Sequence, residues 1–506
     1  MNPKGSFQRK IIYLVAIVVL LTLLSLLGRP ATTGTDRVKG SPGGVLAELR
    51  TEHGLHQTRL GEIDPTSETL KLATFGMRGL AANILWEKAN EYKKKKDWTN
   101  LRAAVNQITK LEPNFVSVWI FHAWNQSHNI SVEFEDVRQR YRWVINGIEF
   151  LKEGARYNDR EPRLLWETGW VISHKIGRAD ERRQYRNFFK KDDDYHGSRP
   201  IAKRDNWLVA KDWFREAERI VDTYNVRMKG QGPLSYRSKA AMCQMSYAEA
   251  LENDGTFGEV ARREWKRAED EWYEFGKVDI PTGIGRIQTV RLNELEAREK
   301  EAEELVQELE ALQPEARQEI YQKKLKGLTD GQREALEVAP EKRNPQQHAL
   351  AAAAQPLIVI LPKEIARQIT GPKRAEADKL ADKAEENMLI AESIRRSRQV
   401  VNFDYWRLRA QVEQDDDTLK ARELLYDGDQ AFLDARLLLA KQKYEEGLAA
   451  WRNVLDRFPK ILENPTFGRD MKTLIEDYRK ILDKCEEPFP DDFILQDVVD
   501  LDLGEF

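Results

Sequence analysis

Apolar residues recur at intervals of three and four from about Leu70 to Cys485, and this spacing restricts the possible folds more than any other feature of the sequence. Such a repeat places apolar side chains on one face of an α-helix, whereas a half-buried strand requires strict alternation. Alternation is almost absent. The one strand-like run, Pro356 to Leu361, is equally compatible with a buried helix end or an extended connector. The sequence therefore predicts an all-α chain.

The clearest pair of helices lies between Asn83 and Pro113. On the first helix, Ala89 and Tyr92 are three residues apart, and the small Ala89 allows paired helices to approach closely. Trp98 follows a short polar turn, and the second helix then carries a single apolar face. This face consists of Leu101, Val105, Ile108 and Leu111. Pro113 ends the helix because its ring prevents continuation.

This pair of helices resembles a tetratricopeptide (TPR) repeat, a helical hairpin of about 34 residues. The matching positions are Ala89, Tyr92, Trp98 and Pro113. The pair departs from the repeat at Lys88, where leucine is expected, and at Leu101, where alanine is expected. The resemblance implies an α-solenoid of TPR-like hairpins, whose stacking creates a concave binding surface.

A second hairpin is expected directly afterwards, in a stretch rich in tryptophan and histidine. Trp119 and Ala123 fit the aromatic and small positions of the repeat, and Trp119 and Trp124 are both predicted to be packing residues. His122 and His128 lie about 120° apart around a helix, so they cannot easily share one metal ion.

Further helical pairs are predicted towards the C-terminal end. Residues 246–275 contain an Asp254-Gly255 turn followed by a helix with Trp265 and Trp272 seven residues apart. The other pair, between Ala431 and Pro459, is more distinct.

In this C-terminal pair, Ala435 is expected at the small position and Tyr444 at the start of the second helix. Trp451 and Val454 are expected to face inward, and Pro459 to end the helix.

A charged region, residues 286–400, is predicted to connect the two groups of hairpins. Leu295, Ala302 and Leu309 lie seven residues apart, and Leu305 and Leu312 form the companion positions of a heptad seam. Two alternatives remain open: the helix packs on its own chain, or it pairs with a partner, including a second copy, as a coiled coil.

The N-terminus predicts a membrane anchor. Three cations within residues 1–10 precede a charge-free run, Ile11 to Leu27, whose helical length of roughly 26 Å is the short end of a membrane span. An uncleaved transmembrane signal-anchor (11–28) is favoured over a signal peptide because the run is long and no A-x-A motif precedes a cleavage site. The positive-inside rule places residues 1–10 in the cytoplasm and the bulk of the chain outside it. Residues 29–68, rich in Gly, Thr and Pro at their start, are expected to be a flexible tether.

Composition and motifs supply no argument for an enzyme. The net charge of −3 does not favour nucleic acid as a partner. Nucleotide-binding loops, G-x-S-x-G and H-E-x-x-H are all absent, so no catalytic residue and no cofactor are predicted. Neither CxxC nor CxxCH occurs, and whether Cys243 and Cys485 pair stays open.

The strongest candidates for metal ligands are Asp192, Asp194 and His196, which combine carboxylates with an imidazole. An isolated cluster of this size supplies too few ligands, and an acidic loop is the commoner interpretation.

The last segment, residues 486–506, mixes apolar and acidic side chains and contains no Lys or Arg. The segment is predicted to dock on a basic groove of the same chain or of a partner, and a poorly ordered terminus is the alternative. The candidate docking residues are Phe493, Ile494, Leu495, Val498 and Leu501.

These patterns predict a membrane-anchored extracytoplasmic protein that binds or scaffolds a protein partner. Helical repeats are expected at 69–285 and 401–485, on either side of the connector. The alternative function is an extracytoplasmic enzyme, or a metal-dependent subunit, with its site in the region 119–196.

Overall fold

The computed structural model describes residues 12–20, 22–23, 27, 43–52, 78–284 and 287–501. Within these ranges the chain is all-α apart from one pair of short strands, which confirms the predicted fold class at this level. The chain divides into two compact units. The first contains the residues up to Gly232 and Lys239–Glu249, and the second contains Pro233–Ser238 and the residues from Ala250 onward.

The helices of the first unit from α2 onward follow one another through short connections. They are α1 (Val45–Glu52), α2 (Arg78–Lys94), α3 (Trp98–Leu111), α4 (Val116–Trp124), α5 (Val137–Tyr157), α6 (Pro162–Val171), α7 (Arg182–Lys190), α8 (Asp193–His196) and α9 (Asn206–Tyr224). Two π-helical segments, Asn125–Ile130 and Ile172–Ile176, directly continue α4 and α6.

The second unit begins with α10 (Pro233–Arg237), while α11 (Lys239–Asn253) passes from the first unit into the second. The remaining elements are α12 (Glu259–Gly276), β1 (Ile280–Ile284), β2 (Ile287–Val290), α13 (Leu295–Leu312), α14 (Glu315–Lys326), α15 (Asp330–Glu337), α16 (Pro345–Ile358), α17 (Pro362–Gln368), α18 (Arg374–Val400), α19 (Phe403–Val412), α20 (Asp416–Leu433), α21 (Leu437–Arg457), α22 (Pro465–Lys484) and α23 (Gln496–Val499).

The first predicted helical pair is confirmed as α2 and α3. Asp97 caps α3, because its carboxylate accepts a hydrogen bond from the backbone N–H of Asn100 at 3.2 Å. The expected apolar positions are buried: Ala89, Leu101, Val105, Ile108 and Leu111.

Helices α4 and α5 form the next pair, and Trp119 lies between them. Its side chain is 1% exposed, and its indole N–H donates to the carbonyl of Pro113 at 2.8 Å. The ring packs against Phe150 and Tyr157, with centroid separations of 4.6 and 5.7 Å. Gly154 permits this approach, since a Cβ there would lie 2.8 Å from the indole ring. The prediction that Trp119 packs between helices is confirmed.

The predicted turn at Asp254-Gly255 is also confirmed. Gly255 adopts φ +82°, which glycine accepts without steric cost, and α12 follows with Trp265 and Trp272 buried. The indole N–H of Trp265 donates to the carboxylate of Glu252 at 2.9 Å. The antiparallel strands β1 and β2 were not predicted, because runs of five and four residues are too short to establish a period.

The run from Pro356 to Leu361 is not a strand. Helix α16 continues to Ile358, and Val359 begins an extended connection to α17. The helix end is exposed rather than buried, since Leu357 is 55% exposed.

The heptad seam of α13 is buried within its own chain, against α18. Leu295, Ala302 and Leu309 are buried. The two helices are antiparallel: the Arg398 guanidinium bonds to Glu296 at 2.6 Å, while Arg395 bonds to Glu299, further along α13. The packing within the chain corresponds to the first of the two alternatives for this region.

The C-terminal hairpin is confirmed, but its predicted boundaries are wrong. It consists of α20 and α21, and Ala435 lies exposed in the turn between them with φ +59°. Close approach depends instead on Gly428, where a Cβ would meet the Tyr444 ring at 2.6 Å, and on Gly447, where it would meet Leu425 at 3.0 Å. Tyr444 is thus in the middle of α21, not at its start.

The predicted anchor lies only partly within the described residues. Residues 12–20, 22–23 and 27 are helical and exposed, and the prediction for the other residues of Ile11 to Leu27 falls outside the described part, as does most of the predicted tether. Among the described residues, no single helix has the length and apolarity needed to cross a membrane, although the pair α16 and α17, bent by 52°, meets both criteria jointly.

Candidate functional site

Two tryptophan–histidine pairs of the first unit meet ring to ring. The Trp124 and His128 rings are nearly parallel, with centroids 4.0 Å apart, and Trp170 and His174 stack at 4.7 Å. The Trp170 ring also lies 5.4 Å from Trp124 and 5.7 Å from His128. We refer to these four side chains as the ring array.

Both pairs are positioned by the two π-helical segments. Each tryptophan lies in the last turn of an α-helix, and each histidine lies four residues later, within the π-segment. Ser127 donates to the carbonyl of Ala123 at 2.9 Å, and Ser173 donates to the carbonyl of Trp170 at 3.1 Å. Hydroxyls that bond back to helix carbonyls compete with the regular ladder, and π-segments occur frequently at functional sites.

A seven-residue motif that was not among the predicted features underlies this duplication. The pattern W-x-x-S-H-x-I occurs at residues 124–130 and again, 46 residues later, at 170–176. A search for internal repeats would have found it. The spacing is longer than the about 34 residues of a TPR repeat.

The prediction that Trp124 is a packing residue is wrong, because its side chain is 43% exposed. Trp124 lies five residues after Trp119, which is about 140° around an α-helix. Trp119 faces α5, so Trp124 faces away from that interface and towards the second pair of rings.

Buried polar groups lie next to Trp124 in the sequence. His122 is 1% exposed and Asn125 is fully buried. Within the described part of the chain, three of their nitrogen atoms have no hydrogen-bond partner: both imidazole nitrogens of His122 and the Nδ2 of Asn125. Burial, supported by nearby cations, lowers the pKa of His122 and of His128 to about 4, and it also lowers the pKa of His174. The imidazoles are therefore neutral at pH 7.

Gly147 on α5 sets the position of the first π-segment. A Cβ at this residue would lie 2.2 Å from the Ser127 Oγ and 2.7 Å from the Ala123 carbonyl oxygen. We expect Gly147→Ala to destabilise the first unit by about 1–3 kcal/mol, because overpacking forces the helices apart and outweighs the helix propensity gained. Gly79→Ala is the matched control: nothing lies within 4 Å of its Cβ, so we expect unchanged or slightly higher stability. Chemical unfolding followed by tryptophan fluorescence compares the two, and equal stabilities would contradict the close packing of this segment.

The three candidate metal ligands are engaged separately. Asp192 caps α8, accepting from the backbone N–H of Tyr195 at 3.0 Å and from the hydroxyl of Tyr141 at 2.7 Å. Asp194 is exposed, and the Nε2 of His196 hydrogen-bonds to a carbonyl of α7 at 2.8 Å. Across the described residues, no group of three or more His, Cys, Asp or Glu side chains could hold a metal ion.

The two cysteines are free thiols. Burial raises the pKa of the Cys243 thiol to about 12, so this thiol is protonated at neutral pH. A protonated, buried thiol is a poor nucleophile. Cys243 therefore has a packing environment rather than a reactive one.

The predicted docking residues of the tail contact the helical body of their own unit. Phe493, Leu495 and Val498 are buried in the C-terminal core. Leu501 is partly buried against the same core, whereas Ile494 is 47% exposed. An ion pair between Arg452 and Asp497, at 2.8 Å, adds a charged contact at the edge.

The second unit contains a groove of about 590 Å³ lined by α13, α17 and α18. Its lining includes Val306 and Met388 and charged side chains of both signs. Acidic side chains outnumber basic ones in its lining, and Glu299 bonds to Arg395. The tryptophan–histidine pair, in contrast, occurs twice in one motif with stacked rings. We therefore consider the ring array the better candidate site.

No family model matches the sequence, and no curated protein or solved structure is detectably similar to it. The candidate site is therefore assigned from the geometry of the structure.

Proposed function

We propose that this chain is a membrane-anchored extracytoplasmic protein, built as a solenoid of TPR-like hairpins, that binds a protein partner through the ring array. The observation that carries the proposal is the duplication of a stacked, partly exposed tryptophan–histidine pair at two π-helical segments. Sequence supports the anchor through the charge-free run Ile11 to Leu27. The packing of α2 with α3 and of α4 with α5 supports the hairpin architecture.

The physical properties of the array suit protein recognition. Tryptophan supplies a large contact area and is enriched among the residues that dominate binding energy at interfaces. Mutual stacking restricts the rotamers of all four rings before any partner arrives, so little further side-chain entropy is lost on binding. An exposed Trp124 is unfavourable in water unless a partner covers it.

A site-specific photocrosslinker tests this function in native membranes. We expect benzoylphenylalanine in place of Trp124, in the full-length chain, to capture one discrete protein partner. The matched control carries the same crosslinker at Tyr224, an exposed aromatic residue at the end of α9, and should capture none. Adding Trp170→Ala to the first variant should reduce capture about tenfold. Interface tryptophans commonly contribute about 2 kcal/mol or more to binding, which corresponds to about a thirtyfold change in affinity, so a tenfold loss of capture is a conservative expectation.

Capture that is equal at positions 124 and 224, or capture that persists after Trp170→Ala, would reject the ring array as the binding surface. Mass spectrometry of the mature N-terminus tests the anchor separately. A chain that begins near residue 30 would show that the apolar run is a cleaved signal peptide.

A further inference from the structure

Three cations border the ring array. Lys175 lies within the second π-segment, Arg178 follows it, and Lys239 is the first residue of α11. The Arg178 guanidinium lies over the Trp207 ring, 5.5 Å from its centroid, and this contact restrains it. Within the described part of the chain, none of the three cations forms an ion pair with a carboxylate.

Each cation is close enough to influence the array: Lys175 acts on His128, and Arg178 and Lys239 act on His174. Burial has the largest effect in lowering the pKa of His174, and Arg178 and Lys239 lower it further. Lys239 is itself partly buried, and burial and then Arg178 lower its pKa. Gathering partly desolvated like charges is unfavourable unless an anion compensates them.

The acids nearest to Lys175 do not neutralise the cluster. Asp180 and Glu181 act on Lys175 only at a distance, after the larger effect of its burial. Glu181 is already engaged by Arg140, with which it forms an ion pair. The cluster therefore keeps an excess of positive charge.

The whole first unit shares this sign. Residues 78–232 and 239–249 contain 31 Lys and Arg against 23 Asp and Glu, although the complete chain has a net charge of −3. A basic unit within an acidic chain indicates an anionic partner for that unit.

The rings distinguish between the two large classes of anionic partner. Nucleic-acid bases bind by stacking on free aromatic faces. Here every ring already stacks on another ring of the array, and Trp170 contacts all three others. The remaining features are ring edges, exposed apolar surface and charged donors, which suit a peptide carrying carboxylates.

We infer that the ring array and Lys175, Arg178 and Lys239 together bind an acidic segment of the protein partner, with the cations holding its carboxylates. Arg178 offers a guanidinium that pairs with a carboxylate through two parallel hydrogen bonds. The apolar surface of Trp124 covers the neighbouring part of the segment. This inference rests on the proposed protein-binding function and names the chemistry of the ligand.

Fluorescence anisotropy with a labelled hexaglutamate peptide and the purified full-length protein tests the inference. We expect saturable binding that weakens with salt, and at least tenfold weaker binding of hexaglutamine. Arg178→Gln and Lys239→Gln should each weaken hexaglutamate binding about tenfold, because charge-assisted hydrogen bonds are lost. Arg178→Lys should restore part of the affinity, since the charge returns without the paired geometry.

The matched control is Arg156→Gln, an exposed arginine in the last turn of α5, nine residues after Gly147, where α5 contacts the first π-segment. This change removes the same charge and should alter binding less than twofold. Equal losses in the control and site variants would overturn the inference, as would tighter binding of an oligothymidylate than of hexaglutamate. If hexaglutamate fails to bind while crosslinking at position 124 still captures a partner, the acidic ligand is wrong and the protein-binding function stands. If hexaglutamate binding and crosslinking both fail, both the acidic ligand and the protein-binding function are rejected.

Discussion

Replacing Trp119 by alanine should destabilise the first unit by about 3–5 kcal/mol, the usual cost of removing a large aromatic side chain from a core. Trp119 is 1% exposed, contacts the rings of Phe150 and Tyr157, and packs directly on the backbone of Gly154. The substitution removes all three contacts and leaves the carbonyl of Pro113 without its indole donor. Hydrogen exchange of the α4 and α5 amides measures the effect as a lower free energy of opening.

Trp124→Ala provides a control of the same residue type on the same helix. Its side chain is 43% exposed, so we expect a loss of at most about 1 kcal/mol together with weakened partner capture. The two tryptophans thus separate folding from binding. Similar losses of stability in both variants would contradict the assignment of Trp119 to the core and Trp124 to the surface.

The second large effect is expected at Glu413, which is fully buried in the second unit. Its carboxylate accepts two hydrogen bonds from Arg422, at 2.6 and 3.1 Å, and lies 3.5 Å from the guanidinium of Arg409. Glu413→Gln preserves the shape but removes the buried negative charge that both arginines contact. Removing one partner from a buried ion pair typically costs 3–5 kcal/mol, so we expect a loss of about that size in chemical unfolding.

Glu392→Gln is the control for this change, because the same residue type there pairs with arginines on the exposed surface of α18. Exposed ion pairs contribute little, so its cost should stay below about 1 kcal/mol. A loss at Glu413 no greater than at Glu392 would show that the buried network contributes little net stability.

The same carboxylate predicts a pH dependence. Burial alone would raise the pKa of Glu413, but the charges and hydrogen bonds of Arg422 and Arg409 outweigh it, and the net pKa lies below the ordinary 4.5. A carboxyl with a depressed pKa stabilises the fold above its unfolded pKa, and this contribution is lost as the pH falls through the folded value. The stability of the unmodified chain should therefore fall below about pH 4.5, and less steeply in Glu413→Gln.

The boundaries of several hairpins followed from the sequence because they depend on neighbouring residues. Pro113 ends its helix through its own ring, and Gly255 accepts the positive φ that the turn requires. Trp265 and Trp272 lie on one face because seven residues make about two helical turns. These effects are local, and together they allow the all-α class to be predicted from the sequence.

Contacts between distant residues required the tertiary structure. The heptad seam of α13 fitted a second copy as well as its own chain, and only the position of α18, more than sixty residues later, decided the matter. Ala435 looked like a small packing residue, yet glycines at 428 and 447 make the close contacts while Ala435 lies in the turn. Sequence spacing identifies a face, but it does not identify what covers that face.

The ring array shows most clearly which features depend on local sequence and which depend on tertiary packing. The sequence by itself determined that the region around Trp119 and Trp124 is helical, because periodicity along one segment is a local property. Which of the two tryptophans is buried was decided by α5, which packs on Trp119. The array also joins residues 46 positions apart, and such a contact forms only when the ends of α4 and α6 come together. Helical spacing is set along the chain, whereas a binding surface is set by how separate helices pack across space.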